Sequence, residues 1–190
     1  MEPRILRLNS AGQPIEWLHW KQAACLYARE LICWSLGEVV RTVHGGHSRF
    51  TGRQTTLDLP SIIACSGKRV NRSHVVPPLT NKALFSRDNY QCMYCGGFFE
   101  FDSLSRDHIQ PVSRGGRDTW TNVVAACKRC NQRKSNFLLS EINMELLALP
   151  FKPNTAEYLA LINSERILFD QMEFLSSQFS RNSRIRLTAA

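Results

Sequence analysis

Two CxxC pairs, Cys92 with Cys95 and Cys127 with Cys130, stand 31 residues apart and constrain this chain more than any other feature. Each pair presents two sulfurs on one tight turn, and four thiolates from two such turns close a tetrahedral Zn²⁺ site. The fold must therefore bring residues 92–95 and 127–130 together. The 31-residue insert is longer than a small zinc ribbon needs, so it has a task of its own. It contains Asp107, His108, the glycine turn Gly115-Gly116 and Asn122.

Seven cysteines is an odd number, and four of them sit in the paired knuckles. A reduced, metal-binding chain fits this better than a disulfide framework. Cys25, Cys33 and Cys65 lie in apolar surroundings and read as buried structural thiols. The N-terminal MEPRILRLNS has no apolar signal-peptide core, and no apolar run reaches the roughly 18 residues of a membrane span. These features predict a cytoplasmic protein without a membrane partner.

The net charge of +8 is unevenly placed. Residues 68–134 carry 12 basic against 5 acidic side chains, whereas residues 136–190 carry 5 against 6. A basic excess around one module is the footprint of a polyanion partner. Nucleic acid fits better than a membrane surface, because basic amphipathic helices and lipidation signals are missing.

The 190 residues suffice for one medium domain or two small ones. RILRLN alternates as a strand and ends at the turn-forming SAGQP. Apolar positions from Trp20 to Leu36 recur at helical spacing, with Gly37 placed as the cap, and EVVRTVH predicts a further strand. HGGH at 44–47 offers two imidazoles, but no carboxylate or cysteine adjoins them, and the glycines suit a loop better than a second metal site. LDLPSIIACSGKRV predicts a strand and a helical turn, and the paired prolines of HVVPPLT mark a boundary near residue 78.

NKALFSRDN then predicts a short helix with Leu84 and Phe85 for packing and Lys82 and Arg87 on its polar side. A strand arriving at Asp107-His108, a loop at PVSRGGRD, a strand at WTNVVAAC and a helix from Cys130 to Leu139 complete the module. Trp120 and the cluster Phe98, Phe99 and Phe101 read as its small core. Beyond PFKP, the stretch TAEYLALINSERILFDQMEFLSSQF carries one long helical apolar stripe, which means docking or a homodimer seam. RNSRIRLTAA is a basic terminus. The organisation is thus α+β: an N-terminal accessory domain at 1–78, a zinc-knuckle module at 79–149, and a C-terminal helix with a basic tail at 150–190.

The residues inside the knuckles carry a chemistry that can be argued directly. Phosphodiester hydrolysis needs a water nucleophile, a group to take its proton, and positive charge at the phosphorane oxygens and leaving alkoxide. Imidazole accepts a proton near neutral pH, so His108 is the candidate base. Asp107 points to the other side of an extended strand. Asn131 directly follows the last cysteine, where its amide oxygen can be a second hard ligand for Mg²⁺. Lys134 lies three residues further on the same helical face, within reach of a phosphate. Arg114, Arg117, Arg129 and Arg133 are candidate backbone contacts, and Arg106 is a phosphate clamp or a partner for Glu100 or Asp102.

DHIQPVSRGG, TWTN and CKRCNQRK between paired cysteines resemble the HNH endonuclease family, with its zinc-stabilised ββα-metal (His-Me finger) fold. The match is dense over about 45 residues. The leader LRLNSAGQPIEWLHWKQAACL also resembles the segment preceding the nuclease module in many bacterial HNH proteins. The resemblance implies a catalytic Mg²⁺ or Mn²⁺ on Asp107 and Asn131, the last histidine of the family name being replaced by asparagine. It also implies that Asn122 fixes the loop that orients His108, while Cys92, Cys95, Cys127 and Cys130 hold structural Zn²⁺. DNA is the expected substrate. An RNA-directed nuclease and a non-catalytic zinc-stabilised binding module are the alternatives.

Overall fold

A computed structural model describes residues 2–66, 76–181 and 183–187. The chain divides into two compact units, Met1–Val75 with Thr155–Phe179, and Val76–Asn154 with Ser180–Ala190. The helical turn expected after LDLPSIIAC and part of the basic terminus lie outside the described residues.

The first unit is a four-stranded sheet in the order β2-β1-β4-β3. Strand β1 (Ile5–Asn9) turns through residues 10–13 into β2 (Pro14–Leu18), and helix α1 (Trp20–Ala28) leads to β3 (Ile32–His47) and β4 (Gln54–Cys65). β1 lies antiparallel to β2 and parallel to β4, and β3 and β4 form a long antiparallel hairpin. Ile5, Leu18, Ala23, Leu59, Ile63 and Cys65 pack as its core.

Several expectations for this unit need correction, among them the loop expected for HGGH at 44–47, which is the end of strand β3. The helix stops at Ala28, because Glu30 takes a left-handed φ of 53° and the chain continues as a strand. LICWSLGEVV is rich in β-branched and aromatic residues, and pairing with β4 decides its form. Gly37 is therefore no helix cap. It sits inside β3 at φ +87°, where a Cβ would collide with Ser61 and Asp170. Cys65 is buried, whereas Cys25 and Cys33 are exposed.

The long apolar stripe near the C-terminus is two helices, α4 (Thr155–Ile162) and α5 (Phe169–Ser176), rather than one. Both are anchored within the first unit. Trp17 Nε1 donates to the Leu159 carbonyl at 2.9 Å, and the buried Gln171 donates to the carbonyls of Arg4 and Ser61 at 2.7 and 2.9 Å. Docking accounts for the stripe: Leu159, Leu161 and Leu175 are buried.

The second unit is built on a hairpin of β5 (Leu104–His108) and β6 (Val123–Cys127), flanked by α2 (Asn81–Arg87) and α3 (Lys128–Lys134). Strand alternation assigns the two faces. Leu104, Val123 and Ala125 pack with Leu84 and Phe85 of α2, while Ala126 lies with the cysteines beside α3. Helix α3 ends at Lys134 because Ser135 takes φ 49°, several residues before the expected Leu139. Trp120 is buried and donates to the Pro77 carbonyl at 2.8 Å, but Phe98 and Phe101 are exposed.

Arg87 is not on a polar face. It is buried in a two-pronged pair with Asp88, Nε to Oδ1 and Nη2 to Oδ2 both at 2.9 Å. Its remaining donors reach the carbonyls of Trp120 at 2.7 Å, Val123 at 2.8 Å and Phe151 at 3.1 Å. Asp88 in turn accepts from the Ala125 amide at 2.8 Å. A buried charge persists when its lone pairs and protons are satisfied in this way.

Candidate active site

The cysteine frame is assembled by two local devices. A tight turn, closed by Gly96 N to Cys92 O at 2.9 Å and Cys92 N to Gly97 O at 2.8 Å, presents Cys92 and Cys95. The junction of β6 and α3 presents Cys127 and Cys130, where the Cys127 sulfur caps the helix by accepting from Cys130 N at 3.4 Å. Met93 N to Ala125 O at 2.9 Å ties the turn to the hairpin. All four sulfurs lie within 4.8 Å of one another. A tetrahedral Zn²⁺ with bonds of about 2.3 Å needs sulfurs about 3.8 Å apart, so the four-thiol set fits structural zinc.

Beside this frame, β5 sends its side chains to two faces. Ser105 and Asp107 face α3, while Arg106 and His108 share the face of Leu104. Asp107 is buried, accepting from the Tyr94 hydroxyl and pairing with Lys134 Nζ at 3.4 Å. Burial pushes its carboxyl above the ordinary range, although Tyr94 and Lys134 pull the other way. Burial also raises the Tyr94 phenol, helped by the Asp107 carboxylate, so the phenol stays a donor.

Lys134 does not reach the surface. Its side chain is fully buried, and Nζ donates to the His108 carbonyl at 2.6 Å. The expected phosphate contact is corrected: this ammonium is consumed inside the module, joining α3 to the end of β5. Asn131, one turn earlier on α3, donates from Nδ2 to Ser105 Oγ at 2.8 Å. Ser105, Lys128, Asn131 and Gln132 line an open cleft of about 280 Å³.

On the opposite face, His108 Nε2 meets Asp118 Oδ1 at 2.9 Å. Arg106 donates to Asp118 Oδ2 at 2.6 Å, Asn81 Oδ1 at 3.0 Å and the Leu79 carbonyl at 3.0 Å. Its partner is thus Asp118 and neither Glu100 nor Asp102. Partial burial works against the Asp118 carboxylate, but hydrogen bonds from Arg106 and His108 outweigh it and hold the carboxyl below its usual range. Asp118 escaped the sequence reading because it lies ten residues beyond His108, across a loop.

Asn122 spans that loop. Its Oδ1 accepts from Gln110 N at 3.0 Å, and Nδ2 donates to the carbonyls of Gln110 and Arg117 at 3.1 and 2.9 Å. Its backbone oxygen accepts from Ile109 N at 2.9 Å. The loop is tight enough that a Cβ at Gly116 would overlap the Gln110 carbonyl. Of the arginines singled out from sequence, Arg114 pairs with Glu141 at 2.6 Å, and Arg117, Arg129 and Arg133 are exposed.

The donor chemistry suits a hard cation. Asp107 offers a carboxylate with about four acceptor positions, two of them used, and Asn131 offers an amide oxygen while its nitrogen is engaged by Ser105. A carboxylate and a carbonyl select Mg²⁺ or Mn²⁺ over softer ions.

Residues 92–147 match the family model described as HNH endonuclease. A segment of 51 residues is 47% identical to the CRISPR-associated endonuclease Cas9 of Corynebacterium diphtheriae, covering 26% of this chain and 5% of that protein. A 46-residue segment is 41% identical to the CRISPR-associated endonuclease Cas9 of Actinomyces naeslundii, covering 24% of this chain and 4% of that protein. The chain thus spans only a small fraction of the length of these relatives. The zinc-knuckle module is an HNH endonuclease domain.

Proposed function

We propose that this protein is an endonuclease that hydrolyses DNA phosphodiester bonds with a divalent ion, His108 acting as general base. The observation that carries this reading is the contact of His108 Nε2 with Asp118 Oδ1 at 2.9 Å, one residue from the buried Asp107. A carboxylate only accepts, so in the neutral imidazole Nε2 carries the proton and Nδ1 keeps its lone pair. That lone pair takes the proton of the attacking water. Asp118, itself held by Arg106, is a positioning residue for the imidazole. Asn122 fixes the backbone that leaves His108, and Lys134 fixes the His108 carbonyl from the other side.

Asp107 and Asn131 hold the divalent ion in this reading. Mg²⁺ or Mn²⁺ bound there supplies positive charge for the phosphorane oxygens and the leaving 3′ oxygen. The products carry 5′ phosphate and 3′ hydroxyl ends. Arg117, Arg129 and Arg133, exposed on the same module, contact neighbouring phosphates. The four thiols need a reducing compartment to hold zinc, consistent with a cytoplasmic setting. Among the described residues, no helix is long and apolar enough to cross a membrane. The N-terminal α+β domain acts as an accessory to the nuclease.

The test is digestion of end-labelled duplex DNA and matched RNA by the zinc-loaded protein with Mg²⁺ or Mn²⁺. Ion-dependent cleavage of DNA leaving 5′ phosphates is expected. Cleavage of RNA alone transfers the reading to RNA, and salt-dependent binding without cleavage of either polymer leaves a non-catalytic binding module.

A further inference from the structure

The β3–β4 hairpin extends beyond the core of its sheet. Val43 and Leu57 pair across it and pack against that core, and beyond them the ribbon is exposed on both strands. The four residues 44–47 carry β3 on the order of 13 Å further before the turn. The stretch between Glu38 and Asp58 contains Arg41, Arg49 and Arg53, His44 and His47, and no acidic residue.

The turn is built rather than loose. Ser48 N donates to Arg53 O at 2.8 Å and Gly52 N to Ser48 O at 2.9 Å, while Ser48 Oγ accepts from the amides of Phe50 and Thr51 at 3.3 Å. This arrangement holds the Phe50 ring outward, 101% exposed, between Arg49 and Arg53. Neither arginine forms an ion pair among the described residues, in contrast to Arg41, which pairs with Glu2 and lies over the Trp20 ring. Basic residues on an exposed ribbon also serve to block edge-to-edge aggregation. A fully exposed phenylalanine at the apex does the opposite, so protection alone does not explain the tip.

We propose that the tip of this hairpin, Arg49-Phe50-Arg53 on its two-stranded stem, is a second DNA contact that enters the major groove of the duplex. The inference deepens the nuclease reading, and it rests on that reading for the choice of DNA. The B-form major groove, about 12 Å wide, admits a two-stranded β-ribbon, whereas the A-form groove of duplex RNA is too narrow for side chains to read. In the groove, Arg49 and Arg53 meet phosphates on its two walls, and the Phe50 ring makes apolar contact with base edges such as the thymine methyl.

The experiment measures duplex-DNA binding across salt concentrations by the full zinc-loaded chain in a His108→Ala background, with matched duplex RNA as competitor. Binding is thereby read without cleavage. Replacing Arg49 and Arg53 together by alanine is expected to lower the steepness of log K against log salt by about 2, and to weaken binding by roughly 50-fold near 0.1 M salt. Phe50→Ala is expected to weaken binding about tenfold with the salt slope unchanged. Arg49→Lys with Arg53→Lys keeps the slope, and thermal midpoints stay at the parent value because these side chains are exposed. Unchanged affinity and slope in the tip variants, no DNA binding by the parent, or preferential displacement by duplex RNA would each overturn the inference. Tip-dependent DNA binding, alongside a wild-type protein with His108 intact that cleaves neither polymer with Mg²⁺ or Mn²⁺, would instead uphold this contact and remove the nuclease reading.

Discussion

The buried ammonium of Lys134 donates to the backbone carbonyl of His108 at 2.6 Å. The last residue of α3 is thereby bonded to the last residue of β5, and the same ammonium lies 3.4 Å from Asp107 Oδ1. Position of the candidate base and charge balance at the candidate metal ligand thus depend on one side chain.

Lys134→Met removes that ammonium and keeps the side-chain length, leaving the Asp107 carboxylate buried without its counter-charge. Breaking a buried pair in this way costs on the order of 3–5 kcal/mol. A lower midpoint in denaturant titration is expected, together with a loss of cleavage even below the unfolding transition. Full stability in this variant would mean that Asp107 does not need Lys134.

Asp118→Ala leaves His108 Nε2 without its carboxylate and lets the ring change tautomer. Cleavage is expected to fall about tenfold or more in kcat with little change in KM, because Asp118 acts through the imidazole and not on the substrate. Asp118→Asn, whose amide oxygen can still accept from Nε2–H, should recover part of the rate. A purely structural Asp118 would show the same loss in both variants and a lower thermal midpoint.

Cys127→Ser removes one thiolate of the frame and also the sulfur that caps α3. Zinc-to-protein stoichiometry, measured by elemental analysis, should fall from one per chain, and the thermal midpoint should drop, since zinc binding energy is folding energy in such modules. A chelator should do the same to the wild type. Retained folding with selective loss of cleavage would assign the cysteines to the chemistry instead.

Asp88→Ala strips the guanidinium of Arg87 of its carboxylate and the Ala125 amide of its acceptor. Both are buried, so a loss on the order of 3–5 kcal/mol is expected by chemical denaturation. Surface substitutions such as Lys82→Ala should stay within about 0.5 kcal/mol.

The cysteine frame and the ββα order of the module were legible because their signals are local. Two CxxC spacings, an Asp-His at a strand end and a strand running into a basic helix each lie within a few residues. What escaped the sequence is decided by partners far along the chain. Arg87 and Lys134 read as surface cations, yet each is buried because acceptors from other elements converge on it. Asp118 carries no pattern of its own and gains its place only when the loop pinned by Asn122 folds back toward His108. The segment after α1 has helical spacing and strand-forming composition, and pairing with β4 settles the conflict. The C-terminal stripe has one period throughout, but it is broken into two helices that pack on each other and on the same sheet.

Single-turnover cleavage of supercoiled plasmid across a Mg²⁺ titration, comparing wild type with His108→Ala and Asn131→Ala, tests the central claim most directly. His108→Ala is expected to lose about 10²–10⁴-fold in rate at saturating Mg²⁺. Asn131→Ala is expected to need a higher Mg²⁺ concentration to reach half its maximal rate. Equal cleavage by wild type and His108→Ala, or a Mg²⁺ requirement untouched by loss of Asn131, would contradict the account.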